Sequence, residues 1–321
     1  MKYDVVSLGE LLIDFTDHGE SEQGNPVFEA NPGGAVVNVL AMLSKLGKNT
    51  AFIGKVGADM FGRQLAGALV KCGICIDGMV FDSDANTTLA FVHNSPDGDR
   101  EFSFFRKPGA DTLLTPDEVD MAFIEECRIF HFGTLSLTHQ PAREATQKAI
   151  ATARGFGKML SFDPNLRPLL WETQEEAHRQ IAWGCSVCDI LKISDDELIF
   201  LTKNESVSEG ISILREQCPQ IKLILLTKGS KGSEAFWEDH HVSSPGFSVK
   251  SVDTTGAGDT FFGCCLSHIL DCGFSNLTPD NVLKMLTYAN AAASLITTRK
   301  GALLSMPDPC DVTAVLKKPN A

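Results

Sequence analysis

The residues with the most chemical reach form one run, Asp253-Thr254-Thr255-Gly256-Ala257-Gly258-Asp259, which passes straight into the apolar stretch 260–266. Gly256 and Gly258 lack the Cβ that would stop successive backbone N–H groups from turning into one concavity. A helix starting there leaves its first N–H groups without intrahelical acceptors and carries partial positive charge at that end, so the turn should hold an anion. Asp259 stands where the same dipole would keep its carboxylate ionised. An anion hole beside a carboxylate base suits the transfer of a phosphoryl group to a hydroxyl.

A second candidate segment, Asn31-Pro32-Gly33-Gly34-Ala35-Val36-Val37-Asn38, precedes a helical pattern. Its glycines would let a ligand approach the backbone, and the Asn38 amide offers a donor and an acceptor to sugar hydroxyls. Asp14, a solvated carboxylate by default, becomes an acceptor for substrate hydroxyls if it lies beside Asn38. Arg167 ends Phe162-Asp163-Pro164-Asn165-Leu166-Arg167, just past a predicted strand, at the carboxyl edge where open α/β sheets bind ligands. Arg106 closes another predicted strand and would fold over the same cleft. For either arginine alone a surface salt bridge is the simpler reading; the pair points to substrate. Cys72/Cys75 and Cys185/Cys188 are C-x-x-C pairs with zinc-like spacing, but they lie more than a hundred residues apart and no histidine pattern accompanies them. Cys264 and Cys265, on a predicted core helix, read as small apolar residues.

These groups need a scaffold. Short β-rich runs at 3–8, 50–54, 129–132, 159–162, 190–193 and 221–227 alternate with helical spacing at 35–46, 60–72, 141–156, 174–183, 196–201 and 207–218. That alternation predicts an α/β fold: a doubly wound, mostly parallel sheet with helices on both faces. Residues 233–237 and 240–243 read as a hairpin, and 257–271 and 279–297 as two long helices. Two regions break the pattern: 11–15 with 27–30 around a polar loop at 17–26, and 87–94 with 101–106 around the turn Ser95-Pro96-Asp97-Gly98-Asp99. Strands outside a helix-covered sheet need another surface to pack on. Segments 11–30 and 87–107 are therefore expected to form a small β-sheet lid on a single domain spanning 1–321.

A length of 321 residues with 43% hydrophobic content suffices for a full core. The balance of 28 Lys+Arg against 41 Asp+Glu, a net −13, argues against a nucleic-acid or anionic-membrane surface without excluding a nucleotide. No segment approaches the ~18 apolar residues of a membrane span, and no basic-then-apolar leader opens the chain, so a soluble cytoplasmic protein without a disulfide framework is expected. The chain has no G-x-x-x-x-G-K-[ST] loop, no protein-kinase signature set and no G-x-G-x-x-G after its first strand, which sets those nucleotide modes aside.

Taken together, Gly33-Gly34-Ala35-Val36-Val37-Asn38-Val39 through Leu46-Gly47 and Asp253 to Asp259 resemble the paired signatures of the ribokinase/PfkB carbohydrate kinase family. The resemblance covers essentially the whole chain, with the Gly-Gly motif early, the lid hairpin next and the catalytic motif late, followed by a helix containing Tyr288-Ala289-Asn290-Ala291-Ala292-Ala293. Two positions depart from it: Leu40 replaces a small residue, and Ser194-Asp195-Asp196-Glu197 replaces Asn-x-x-Glu. Within the family, the segment 162–167 with Trp171, and Phe105-Arg106-Lys107-Pro108-Gly109-Ala110-Asp111, are most similar to fructokinases.

The resemblance implies a ribokinase-like fold and ATP-dependent phosphorylation of a sugar hydroxyl, with fructose to fructose 6-phosphate as the leading case. It implies Asp259 as base and Gly256, Ala257 and Gly258 as the anion hole. Asp14, Gly33, Gly34, Asn38, Arg106 and Arg167 would contact the sugar; Lys192, Thr227, Gly229, Gly232, Asn290 and Ala293 would serve ATP. Glu197 would hold Mg²⁺ through water, and Asp253 would lie near a monovalent cation such as K⁺, with carbonyls from 297–301. A homodimer paired through the lid is a further expectation. The alternatives are a kinase of the same family for 2-keto-3-deoxygluconate, ribose or a nucleoside or other riboside, and, outside enzymes, a catalytically silent sugar sensor. The presence of Asp259 with both flanking glycines speaks against the sensor.

Overall fold

The computed structural model of the chain describes residues 1–94 and 100–317, so the predicted turn at 95–99 lies outside the described residues. The strands are β1 (Tyr3–Leu8), β2 (Leu12–Glu20), β3 (Pro26–Gly33), β4 (Thr50–Gly57), β5 (Ile74–Asp82), β6 (Leu89–Asn94), β7 (Arg100–Phe105), β8 (Cys127–Gly133), β9 (Met159–Asp163), β10 (Ile190–Ser194), β11 (Leu223–Thr227), β12 (Ser233–Trp237) and β13 (His240–Ser244). Nine of them form one sheet in the order β13-β12-β11-β10-β9-β8-β1-β4-β5. Its pairings are parallel from β5 across to β11, and antiparallel only where β12 and β13 add their hairpin.

The sheet is buried on both faces, which is why its strands read as apolar runs rather than alternating ones. Val5, Phe52, Ile129 and Leu225 join the cluster under helices Ala35–Lys45, Ala257–Cys272 and Pro279–Ile296. Val6, Leu8, Phe130, Phe162 and Leu226 join the opposite cluster, under helices Ala142–Gly155, Gln174–Val187 and Val207–Gln217. Each fully buried side chain of this size contributes about 1.5–3 kcal/mol.

The remaining strands form the lid, in the order β3-β2-β6-β7. Here the expectation needs correction: β2 continues to Glu20 and β3 begins at Pro26, so half of the polar segment 17–26 is strand and the loop shrinks to 21–25. The polar residues pair across the strands, Asn31 Nδ2 donating to Thr16 Oγ1 at 2.8 Å. A register shift between Asp17 and Glu20 contains Gly19 at φ 89°, the irregularity that disguises the strand. Strand β5 also went unread. Its Gly78 sits where a Cβ would lie 2.9 Å from the Phe52 carbonyl oxygen.

One packing contact sets the geometry of everything below. Helices Ala35–Lys45 and Ala257–Cys272 cross at Gly263, where a Cβ would lie 2.8 Å from Met42 Cβ and 3.0 Å from the Val39 carbonyl oxygen. That close crossing brings the N-terminal turns of both helices to the carboxyl edge of the sheet.

Candidate active site

Asn38 and Asp259 meet just above the crossing. Asn38 Nδ2 donates to Asp259 Oδ2 at 2.8 Å, and both residues are buried. Asn165, in the turn after β9, donates its Nδ2 to the other oxygen, Oδ1, at 3.2 Å. Asn165 adopts φ 43°, a left-handed conformation that asparagine tolerates better than most residues, and its N–H is held by Asp163 Oδ1 at 3.1 Å. The base candidate is thus gripped by two amides from opposite sides of the cleft. Asn38 Oδ1 is buried and has no protein partner among the described residues, leaving an acceptor for a ligand.

The anion nest forms as its glycines suggested. Gly256 takes φ 77° and caps the helix without a side-chain hydrogen bond. Asp253 Oδ1 accepts from Thr255 N at 2.9 Å and Thr255 Oγ1 at 2.7 Å, which shapes the turn. The Ala257 N–H turns back to the Thr254 carbonyl at 3.3 Å, so the free helix-start donors narrow to those of Gly258 and Asp259. Lys192, 5% exposed in the middle of β10, stands directly beneath: a Cβ on Gly258 would lie 3.1 Å from its Nζ. The ammonium pairs with Asp163 at 3.0 Å.

Two cavities open on either side of this nest and share Thr254, Ala257 and Gly258. The first, of about 320 Å³, is lined by Asp14, Gly34, Asn38, Phe104, Leu135, Asn165, Arg167, Lys192, Glu197 and Asp259, among others. The second, of about 500 Å³, is lined by Thr227, Gly229, Gly232, Phe247, Val249, Asn290, Ala293 and Thr297, among others. Of the sequence-predicted sugar residues Asp14, Gly34, Asn38 and Arg167 line the first chamber, and of the nucleotide residues Thr227, Gly229, Gly232, Asn290 and Ala293 line the second. Lys192, expected with the nucleotide set, is on the wall of the first, and Gly33 and Arg106 line neither.

Several expected roles change on inspection. Arg106 is not on the cavity wall. It is 4% exposed, with Nε on Asp111 Oδ2 at 2.8 Å, one Nη on Thr138 Oγ1 at 2.8 Å and the other on the Leu135 carbonyl at 2.9 Å. Arg106 clamps the base of the lid to the loop carrying Leu135, while Arg167 is exposed and does line the cavity. Gly33 and Gly34 make room for neighbouring protein oxygens: a Cβ on Gly33 would run into the Asp14 carboxylate, and one on Gly34, which still lines the first cavity, would lie 2.5 Å from the Glu10 backbone carbonyl oxygen. Asn290 is a wall-builder, its amide spent on Ser233 Oγ, the Ser244 carbonyl and the Pro245 carbonyl at 2.9–3.1 Å. Asp253 Oδ2 reaches Gly301 N at 3.1 Å and so joins the two expected cation segments, but the Thr297 carbonyl already accepts Val252 and Asp253 N–H groups. Ser194 departs from the family's asparagine because it caps a helix here, forming a reciprocal capping box with Glu197. Glu197 also accepts Leu166 N at 2.8 Å, yet it still borders the first cavity.

Burial dominates the electrostatics. It raises Asp259 above the ordinary carboxylate range, opposed by the Asn38 hydrogen bond, Lys192 and Arg167 and reinforced by Glu197. The helix dipole was expected to hold this group low; the loss of water outweighs it, and a stronger base results. Asp14 is pushed up to about 7, first by loss of water, then against Arg167 and with Asp253 and Asp259. For Lys192 burial alone would act downward, but Asp163, Glu197 and Asp259 prevail and keep it charged. Burial would raise Glu197, but Lys192 and the N–H groups of Ser194 and Leu166 bring it below its ordinary value. Glu10, Phe104, Leu135 and Asn165 were missed as site residues. Only Asn165 had a sequence signal, its place in the 162–167 motif.

A ribokinase-type sheet, a lid and two chambers meeting at an anion nest define a small-molecule kinase. The chain belongs to the pfkB family of carbohydrate kinases, whose profile matches residues 2–309. It is 43% identical over 315 residues to "Probable fructokinase-2" of Arabidopsis thaliana, covering 98% of this chain and 95% of that one. Among solved structures, the fructokinase of Xylella fastidiosa with bound ATP superposes with a TM-score of 0.89 at 30% identity, covering 99% of both chains. The fructokinase of Vibrio cholerae O395, solved with fructose, ADP and calcium ion, gives 0.88 at 30% identity over 99% of this chain and 100% of that one.

Proposed function

We propose that the chain, as one kinase domain with an inserted lid, transfers the γ-phosphoryl group of ATP to fructose, forming fructose 6-phosphate and ADP. The observation that carries this reading is Asp259, a buried carboxylate with raised basicity at the junction of two cavities that share its nest. Fructose occupies the first cavity, with Asp14, Asn38 Oδ1 and Arg167 on its hydroxyls. Asp259 takes the proton of the attacking hydroxyl, held in orientation by Asn38 and Asn165. The N–H groups of Gly258 and Asp259, with the Lys192 ammonium, receive the charge that develops on the transferred group. Such a base contributes about 10²–10⁴-fold and each preorganised donor about 3 kcal/mol.

ATP lies in the second cavity, where Gly229 and Gly232 keep the wall low and Ala293, with Thr227, borders the base. Glu197 would hold Mg²⁺ through water, and the ion would neutralise charge on the phosphate oxygens. Asp253 and the 297–301 loop, joined by the Asp253 Oδ2 to Gly301 N bond, would be the place for K⁺. Lid closure over the sugar excludes water, the competing acceptor. The same reading includes a cytoplasmic setting, supported by ten cysteines without a disulfide. It also includes a homodimer through the lid, where Phe91 stacks with Phe15 and meets Phe28 and Phe105 edge-on, and Phe105 is 63% exposed. An ADP-release assay across fructose, ribose, 2-keto-3-deoxygluconate, adenosine and aminoimidazole riboside tests the substrate. Fructose should lead; turnover below about one per cent of the best acceptor, a gap of roughly 3 kcal/mol, would refute it.

A further inference from the structure

Glu10 sits at the corner between β1 and β2, where the chain leaves the main sheet for the lid. It is 2% exposed and lines the sugar-side cavity. Its Oε1 accepts the N–H of Ala35 at 2.6 Å. Ala35 opens helix Ala35–Lys45, whose N-cap, Gly34, offers no side chain and whose first turn holds no acidic residue. The anion that a helix N-terminus favours therefore comes from a residue 25 positions earlier, on the lid's hinge. Gly34 permits this, because any Cβ there would meet the Glu10 carbonyl. The other charged groups that act on Glu10 are Arg106, which favours its ionised form, and Asp111, which opposes it; burial outweighs both and lifts the carboxyl to about 7.

We infer that Glu10 is a positioning residue that ties the first lid strand to the helix carrying Asn38, so that Asp14 and Asn38 take up their places against the sugar together. Asp14 lies four residues beyond Glu10 on one branch and Asn38 three residues beyond Ala35 on the other. The 2.6 Å bond is the cross-link between the branches. Glu10 touches no reacting atom, and the ATP chamber lies on the far side of the nest. Its loss should therefore separate the two substrates kinetically.

This rests on the first cavity being the sugar site, which the wild-type substrate panel tests by itself; if another sugar proves best, the comparison below is run with that sugar. Glu10→Ala should raise the sugar KM about tenfold or more while the ATP KM stays within about twofold. Glu10→Gln, which keeps an acceptor oxygen for Ala35, should restore the sugar KM to within about threefold of wild type. Should Glu10→Ala not fold, as judged by loss of the nucleotide-induced thermal shift, Ala35→Pro deletes the donor at a helix position that suits proline and should show the same selective rise. A sugar KM within twofold of wild type in the Ala or Pro variant, equal impairment of Glu10→Ala and Glu10→Gln, or a parallel rise in the ATP KM would each overturn the inference.

Discussion

Gly263→Ala adds one methyl group more than 5 Å of helix away from the chemistry, about one turn beyond Asp259, and should nevertheless damage catalysis. The new Cβ would lie 2.8 Å from Met42 Cβ and 3.0 Å from the Val39 carbonyl oxygen, where ordinary contact begins near 3.4 Å. The second neighbour is backbone and cannot rotate aside, so the helices must part by about half an ångström at the crossing, at a cost of about 1–3 kcal/mol for overpacking. Val39 follows Asn38 directly, so the separation lengthens the 2.8 Å bond from Asn38 Nδ2 to Asp259 Oδ2 and turns the carboxylate away from the sugar. Misplacement on this scale should lower kcat by about 10- to 100-fold. The ATP KM should change less than kcat, because this helix gives the nucleotide chamber only Ala257, Gly258 and Phe261, and the rest of its wall comes from residues 227–232, 246–254 and 290–297. Steady-state kinetics with a thermal melt gives the answer. A melting temperature lowered by several degrees with kcat within twofold of wild type would refute the positioning role; an unchanged melt would refute the packing itself.

Two further outcomes follow from the site. Asp259→Asn keeps the shape and an acceptor for Asn38 but removes the base, and should lower kcat by about 10² or more with the fructose KM within about threefold; near-wild-type turnover would remove Asp259 from its role. Asp14, lifted to about 7, is protonated below that pH and loses its strongest hydroxyl-accepting form, so the fructose KM should rise as pH falls from 8 to 6. Asp14→Asn should bind fructose weakly and without that slope; the same slope in the variant would assign it to Glu10 or Asp163, whose carboxyls burial lifts into the same range.

The sheet was legible because a strand buried on both faces must be apolar along its length, and a helix-covered sheet forces strand and helix to alternate. The lid was legible only where its strands were apolar: β2 beyond Asp17 has wet faces and a glycine irregularity, so nothing in its local pattern separates it from a loop. In the site, residues with a motif could be found, as Asn38, Asp259 and Arg167 were. Glu10 could not, because its partner, Ala35 N–H, is a backbone group that any sequence would supply. Arg106 was assigned the wrong surroundings for a related reason. An arginine at a strand end is the same letter whether it reaches solvent, sugar or Asp111, and only the fold supplied Asp111, Thr138 and the Leu135 carbonyl around it.

The charges around the sugar-side cavity bear on what must enter with the nucleotide. Glu10, Asp14, Glu197 and Asp259 face it against only Lys192 and Arg167, and Asp163 holds the lysine from behind. Burial in this cleft raises the carboxyls of Asp14, Glu10 and Asp259, and the carboxylates that face it repel a phosphate. The two free N–H groups of the nest and one ammonium do not balance a triphosphate approaching such a wall. Among the described residues no group of three or more His, Cys, Asp or Glu side chains is placed to cage a metal ion. On the proposed reading a divalent cation would arrive on the phosphate oxygens with much of its water, and Glu197 would meet the water shell. That is the coordination Mg²⁺ prefers. The cleft thus works in two ways: its burial raises the basicity of Asp259, and its carboxylates favour the metal-bound nucleotide over the bare one.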